Sequence, residues 1–495
     1  MRAFITLACI FLLTTSPLWT DAQQDIPVGA FRLHVSYNSI HNIALDGAGH
    51  IYAAASHGVQ IIDRVNGETS TLSKANGLSG GTITDLVFDP GTKKLIVAFA
   101  EGYVDIVAND QSLTHIDPAS IPALTGPKKI NEAAVLNKVA YLATDYGVLV
   151  IDLTANRIKE TWRDLGISGQ QLAVHHCAVK SDSIFLSTPQ GILAGRLTDN
   201  LQDFNKWKRY QLWPFASPVS GLAIWRNTLY AAVDEVGLFR LFNGTWIQVT
   251  DVPAGQYYSL DASGGLLLTA SGTIYRFNED GTSERISSPL FRSPRFATMD
   301  NRGTLWIGDD ESGLISGGSG SYESLLPKCP SNGIVTRVVY ANGKIFTTGG
   351  RSDDTGTAMQ VRGAVDIFER GTWRTMPLPG TNLVDVGWDE STHTLYAASY
   401  RDGLIVKKPD SDAIVFDETN SPLMQLSSPA SGVLVTSIAK TSDGIIASNY
   451  GVDPSLHLYN DGQWASYSVP VSVAAYGERI VVDNNDNTLM IVDEE

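Results

Sequence analysis

Among the residues whose types and spacing could carry chemistry, Gly77-Leu-Ser79-Gly-Gly81 satisfies the pattern of a nucleophile elbow. That elbow requires a helix behind the serine, whereas Thr82 to Phe88 alternates as a strand, and no histidine or acid can be assigned to Ser79 from sequence. The run reads as a loop. His175-His176-Cys177 holds three zinc-ligand types, but adjacent strand residues point to opposite faces and cannot converge on one ion without distortion. Asp483-Asn-Asn485-Asp-Asn487, with Glu494 at the twelfth position, mimics a calcium loop; Thr488 stands where that loop needs glycine, and both flanks read as strands. A polar hairpin turn fits better. Catalytic residues, metal ligands and cofactors are therefore all expected to be none.

Binding chemistry is better represented. Trp213-Pro214-Phe215 and Tyr257-Tyr258 could form stacking platforms for sugars, since aromatic rings cover apolar sugar faces while nearby polar groups fix orientation. The same rings could instead pack between structural units. Arg351 and Arg362 bound a segment rich in Gly, Asp and Thr, and supply cations that an anionic glycan would need. Trp213, Phe215, Tyr257, Tyr258, Arg351 and Arg362 are the candidate binding residues.

The elements that must position them are strands. Helical periodicity is nearly absent, and short apolar strands recur between Gly, Asn and Asp turns. An internal glycine repeats at Gly58, Gly102, Gly147, Gly191, Gly237, Gly272 and Gly313, with spacings of 44, 45, 44, 46, 35 and 41 residues. That length holds one four-stranded propeller blade. Asn243-Gly244-Thr-Trp246, Arg370-Gly371-Thr-Trp373 and Asp461-Gly462-Gln-Trp464 read as outer hairpins whose glycine makes the turn and whose tryptophan covers the blade edge. Ser316-Gly-Gly-Ser-Gly-Ser321 is the best linker candidate.

The expected fold is all-β, with tandem β-propellers: seven blades over residues 23–320, then about four blades of a second over residues 321–495. Four blades rarely close a ring, so the second propeller reads as truncated.

Arg2 followed by the apolar run Phe4 to Leu13, with small residues at Thr20 and Ala22, reads as a signal peptide over residues 1–22. The run is shorter than the roughly 20 residues a membrane span needs. A net charge of −16 argues against a nucleic-acid partner. After cleavage Cys177 and Cys329 remain, in different repeats, so a disulfide framework is not expected and neither thiol is assigned chemistry.

Asn76-Gly77-Leu78-Ser79 before Ile83 to Asp89, and Asp300-Asn-Arg-Gly303-Thr-Leu305-Trp306-Ile307-Gly308, resemble the repeats of periplasmic two-component regulator sensors. Val28-Gly29 through Tyr37-Asn38, the first blade, Leu72-Ser73-Lys74, and Leu95 to Ile106 with Lys129-Ile130-Asn131 are similar to the PorZ family of type IX secretion surface components. The resemblance implies two seven-bladed propellers and a β-sandwich sorting domain. It also implies an attachment complex that works with a sortase to join secreted cargo to anionic lipopolysaccharide. The family supplies no motif residue to carry over, and the sequence reaches Glu495 before a full second ring.

The expected function is thus a non-catalytic, exported subunit in the periplasm or at the cell surface, peripheral to the outer membrane. It would bind attachment-complex proteins including a sortase, and an anionic lipopolysaccharide or another glycan. An oligosaccharide-sensing ectodomain of a hybrid two-component regulator is the alternative, and a propeller lyase or glycosidase the third reading.

Overall fold

The computed structural model describes residues 32–118, 126–210, 217–279, 282–350, 361–426, 432–468, 477–483, 485 and 487–492. Among these, seven consecutive four-stranded antiparallel meanders form blades one to seven: residues 42–73, 83–116, 130–162, 176–210, 219–249, 257–286 and 294–324. Their first strands are Asn42–Leu45, Ile83–Asp89, Ile130–Leu136, His176–Lys180, Val219–Trp225, Tyr257–Asp261 and Pro294–Met299. Each packs against the next, and Pro294–Met299 returns to Asn42–Leu45, so the ring closes. No strand is exchanged between these seven sheets.

The middle strands explain the apolar runs. Lys94–Phe99 buries Leu95, Ile96, Val97, Ala98 and Phe99 because a blade is covered on both faces by its neighbours. The outer strands, such as Glu68–Ser73, are mostly exposed and polar. Each inter-blade gap holds its own core, for example Tyr141, Trp162, Cys177 and Trp207 between blades three and four. Between blades seven and one, the N-terminal segment contributes Val35, Tyr37 and Ile40 to the core containing Trp306 and Leu314. Backbone bonds from Ile40 N to Asp309 O and from Gly313 N to Asn38 O pin that segment to blade seven.

The repeating glycine opens or just precedes the third strand of each blade. At Gly147 the reason is explicit: φ is +129°, and a Cβ there would lie 2.0 Å from the Trp162 carbonyl oxygen. The run 316–321 proves not to be a linker. Gly313–Gly318 pairs with Ser321–Ser324 as the outer hairpin of blade seven, with Ser319 (φ 52°) and Gly320 (φ 85°) making its turn. A small-residue turn and a flexible connection look alike in sequence. The chain passes to the second propeller only after Ser324.

Blades eight (337–381), nine (383–416) and ten (433–467) follow, and then the hairpin of Gly477–Val482 with Thr488–Val492. Blades nine and ten are stitched by pairing of Tyr400 with Leu434 and Arg401 with Val433. The architecture is a seven-bladed propeller followed by blades of a second. No helix among the described residues is long and apolar enough to cross a membrane.

Candidate functional site

The first strands line a central channel of about 360 Å³. Several carry a β-bulge near their start, where pairing skips one residue: between Ile83 and Asp85, Val219 and Gly221, Tyr257 and Ser259, and Pro294 and Phe296. A bulge re-aims the side chains around the extra residue. The skipped residues are Thr84, Ser220, Tyr258 and Arg295, at the same end of their strands.

Inside the channel, acids of one blade accept backbone N–H groups of the next. Asp85 Oδ2 accepts Ala133 N at 2.6 Å, and Glu132 Oε2 accepts Cys177 N at 2.7 Å. Outside the channel lining, just after the second strand of blade five, Asp234 accepts Tyr257 N of blade six at 3.0 Å. Burial, then the neighbouring Glu132 charge, pushes the Asp85 carboxyl well above its usual range, and burial raises Asp261. The second propeller repeats the device. Arg337 Nε donates to Asp385 Oδ1 at 2.7 Å, while Asp385 Oδ2 accepts Ser437 Oγ at 2.8 Å and Ile438 N at 3.1 Å. Ser437 Oγ in turn accepts Ile480 N at 3.1 Å. These acids bolt blades together.

Sequence reasoning found no partner for Ser79, and the structure corrects this. Asp105, fully buried, accepts Ser79 N at 2.7 Å, Ser79 Oγ at 2.6 Å and His115 Nδ1 at 2.7 Å, with Ser79 Oγ 3.0 Å from that same Nδ1. Ser79 N bonds Asp105 Oδ2, while the serine hydroxyl and His115 share Oδ1 and meet each other through the same ring nitrogen, Nδ1. A hydrolase triad instead uses opposite ring nitrogens, so the histidine takes the serine proton while the acid holds its far side. Here the serine proton is directed at the acid, and the cluster fastens the loop after blade one onto blade two.

His176 Nδ1 lies 3.3 Å from Glu132 Oε1, whereas Cys177 points into the core with its thiol 3.4 Å from Tyr141 O. Burial raises the Cys177 pKa, which suits a packed thiol. Cys177 and Cys329 are both free. Asp483 Oδ1 accepts Asn485 N and Asn487 N at 2.8 and 2.9 Å, closing a hairpin turn.

Of the candidate binding residues, Trp213, Phe215 and Arg351 lie outside the described residues. Tyr257 is 3 % exposed, within the core between blades five and six, so it offers no ring to a ligand. That corrects its assignment: the bulge separates two adjacent tyrosines, burying Tyr257 and turning out Tyr258. The Tyr258 ring carries the Arg295 guanidinium 4.3 Å from its centroid. Arg295 pairs with Asp310, the neighbour of Glu311, which lies 4.0 Å from Arg292 and 3.9 Å from Arg362 of blade eight. Arg292 and Arg295 went unnoticed in the sequence, although Arg292-Ser-Pro-Arg295 is a basic turn in an acidic chain. The three outer tryptophans divide. Trp464 packs on Tyr459 of its own blade and on Phe416 of blade nine, and Trp246 of blade five packs on Tyr210 of blade four, so both lie between blades. Trp373 faces His34 of the N-terminal segment.

A rigid ring with bolted blades and a surface of loop residues defines a tandem β-propeller. Residues 51–208 match the family model of the PorZ N-terminal β-propeller domain of type IX secretion. The fold is also that of the solved structure of PorZ, an essential bacterial surface component of the type IX secretion system of Porphyromonas gingivalis. Identity is 19 %, with a TM-score of 0.77 over 92 % of this chain and 63 % of that one. The chain thus spans less than two thirds of that structure. The extracellular domain of a hybrid two-component system from B. thetaiotaomicron matches at 14 % identity and a TM-score of 0.47, over 93 % of this chain and 63 % of that one. No curated protein matches the sequence.

Proposed function

We propose that the protein is a non-catalytic subunit of a type IX secretion attachment complex, exported by residues 1–22 and held at the periplasmic or outer face of the outer membrane. It binds partner proteins, a sortase among them, and an anionic lipopolysaccharide. The observation that carries the glycan reading is the run of Tyr258, Arg295, Arg292 and Arg362 joined through Asp310 and Glu311. It places an aromatic ring and three guanidinium groups on one surface spanning blades six, seven and eight. In a chain of net charge −16, such a local concentration of arginine offers bidentate donors to phosphate or carboxylate groups, with a ring for a sugar face. Trp213, Phe215 and Arg351 remain proposed members of the binding surface.

Binding to immobilised anionic lipopolysaccharide, and a pull-down with the sortase, test the reading. Arg292→Ala with Arg362→Ala is expected to weaken glycan retention at least about tenfold, at unchanged melting temperature. Equal retention by wild type and variant, or turnover of a polysaccharide by the wild type, would overturn it.

A further inference from the structure

One face of blade eight clamps the N-terminal segment. On that face lie Asp366 and Phe368 of strand Arg362–Glu369, and opposite them Thr375 and Trp373 of strand Thr372–Thr381. Asp366 accepts Ser331 N at 2.8 Å and Ser331 Oγ at 2.9 Å, and Ser331 O accepts Ser36 Oγ at 3.3 Å and Asn38 Nδ2 at 2.9 Å. Tyr37 N is 3.4 Å from Cys329 Sγ. Beyond these bonds His34 enters an aromatic corner, its centroid 5.0 Å from Phe368 and 5.5 Å from Trp373, both edge-on. The indole N–H of Trp373 donates to His34 Nδ1 at 2.9 Å.

Tryptophan is only a donor, so this bond requires an unprotonated Nδ1. Protonation would aim one N–H at another and place a cation in a half-buried apolar corner. The segment holding His34 is the one whose Val35, Tyr37 and Ile40 seal blades seven and one. It therefore touches both propellers.

We propose that His34 is a proton-operated latch between the propellers: as a neutral ring it fastens the N-terminal segment to blade eight, and as a cation it releases it. The charged groups on the elements packed here are Arg32, Lys328, Arg362, Asp366, Glu369, Arg370 and Arg374. Asp366 is engaged by Ser331 and Thr375, Arg362 reaches Glu311, and Glu369 lies 4.0 Å from Lys344. Burial, then the charge of Arg32, lowers the His34 pKa, in the same direction as the geometry. A lowered pKa in the docked state means the undocked state binds more protons. Docking is therefore tight above the ordinary histidine range and weakens as pH falls through it.

Hydrogen exchange of the full chain, corrected for intrinsic rates, reads the latch between about pH 7.5 and about pH 5.5. Amide protection in residues 33–40 and 366–376 is expected to fall roughly three- to tenfold in the wild type, while blades two to five stay unchanged. His34→Gln, which can accept the indole bond and cannot titrate there, is expected to hold its protection flat. His41, whose pKa is also lowered by burial, remains in that variant as a control. Trp373→Phe removes the indole donor together with the second ring and leaves burial of His34 as the remaining cause, so its response should be smaller than that of the wild type, which provides the test if His34→Gln folds poorly. A flat wild-type profile, or an equal fall in the variants, would overturn the proposal.

Discussion

The guanidinium of Arg295 lies 4.3 Å from the centroid of the Tyr258 ring, and each is the skipped residue of a β-bulge in adjoining blades. The bulge lifts both side chains out of the ladder, so their pairing is a property of the ring and not of either strand. Because both remain partly exposed, Tyr258→Ala or Arg295→Ala should cost at most about 1 kcal/mol of stability. Urea denaturation checks this, and a larger loss would show the pair to be a structural brace. Glycan retention by the same variants should fall.

Asp85 provides a pH test. Its folded pKa is raised by burial and by Glu132, so between the usual carboxylate pKa of about 4 and that raised value the folded state binds more protons than the unfolded. Stability from this group is full below that window and declines as pH rises through it. Asp85→Asn, which keeps an acceptor for Ala133 N, should flatten this part of the stability-versus-pH curve. Asp85→Ala should cost about 2–4 kcal/mol, because it strands the N–H and opens a void. Matching curves for wild type and Asp85→Asn would rule out the titration.

The Arg337–Asp385 pair joins blades eight and nine, with Asp385 almost fully buried. Removing either partner alone, by Arg337→Gln or Asp385→Ala, should cost about 3–5 kcal/mol. Asp385 also holds Ser437 and Ile438, so its loss should be the greater. A double-mutant cycle in chemical denaturation measures the coupling; additive losses would mean the pair acts as two separate bonds.

Two blade glycines should behave differently. Gly147→Ala meets both a positive φ and the Trp162 carbonyl, and should cost at least about 2 kcal/mol. Gly272→Ala has φ +67° with nothing within 4 Å of the added carbon, and should cost only about 1 kcal/mol. Thermal melts of the two variants compare them directly.

Ser79 should prove unreactive. Its proton points at Asp105 and the histidine offers it the wrong nitrogen, so a fluorophosphonate probe should leave it unlabelled. Labelling that required His115 would mean the cluster rearranges into a working triad. Asp105→Ala should instead destabilise by about 2–3 kcal/mol, since three donors lose their acceptor.

The blade repeat was legible in the chain because it is local. A strand alternates, a turn needs glycine or asparagine, and a close approach such as Gly147 on Trp162 tolerates no Cβ, so each leaves its mark within one repeat. The seven glycines from Gly58 to Gly313 therefore announced seven blades. Contacts between repeats left no such mark. Asp85 and Ala133, Ser79 and His115, or Trp373 and His34 are separated by 48, 36 and 339 residues, and any polar side chain at those positions reads as an ordinary strand residue. Sequence alone could not separate Tyr257 from Tyr258, since a one-residue bulge decides which ring is core and which is surface. Nor could it distinguish the hairpin turn at Ser319-Gly320 from a linker, because only the pairing of Gly313–Gly318 with Ser321–Ser324 makes it one. Closure of the ring decided these outcomes. It brings distant first strands side by side, and burial between them determines which acids brace a blade and which ion-paired arginines stay near the surface.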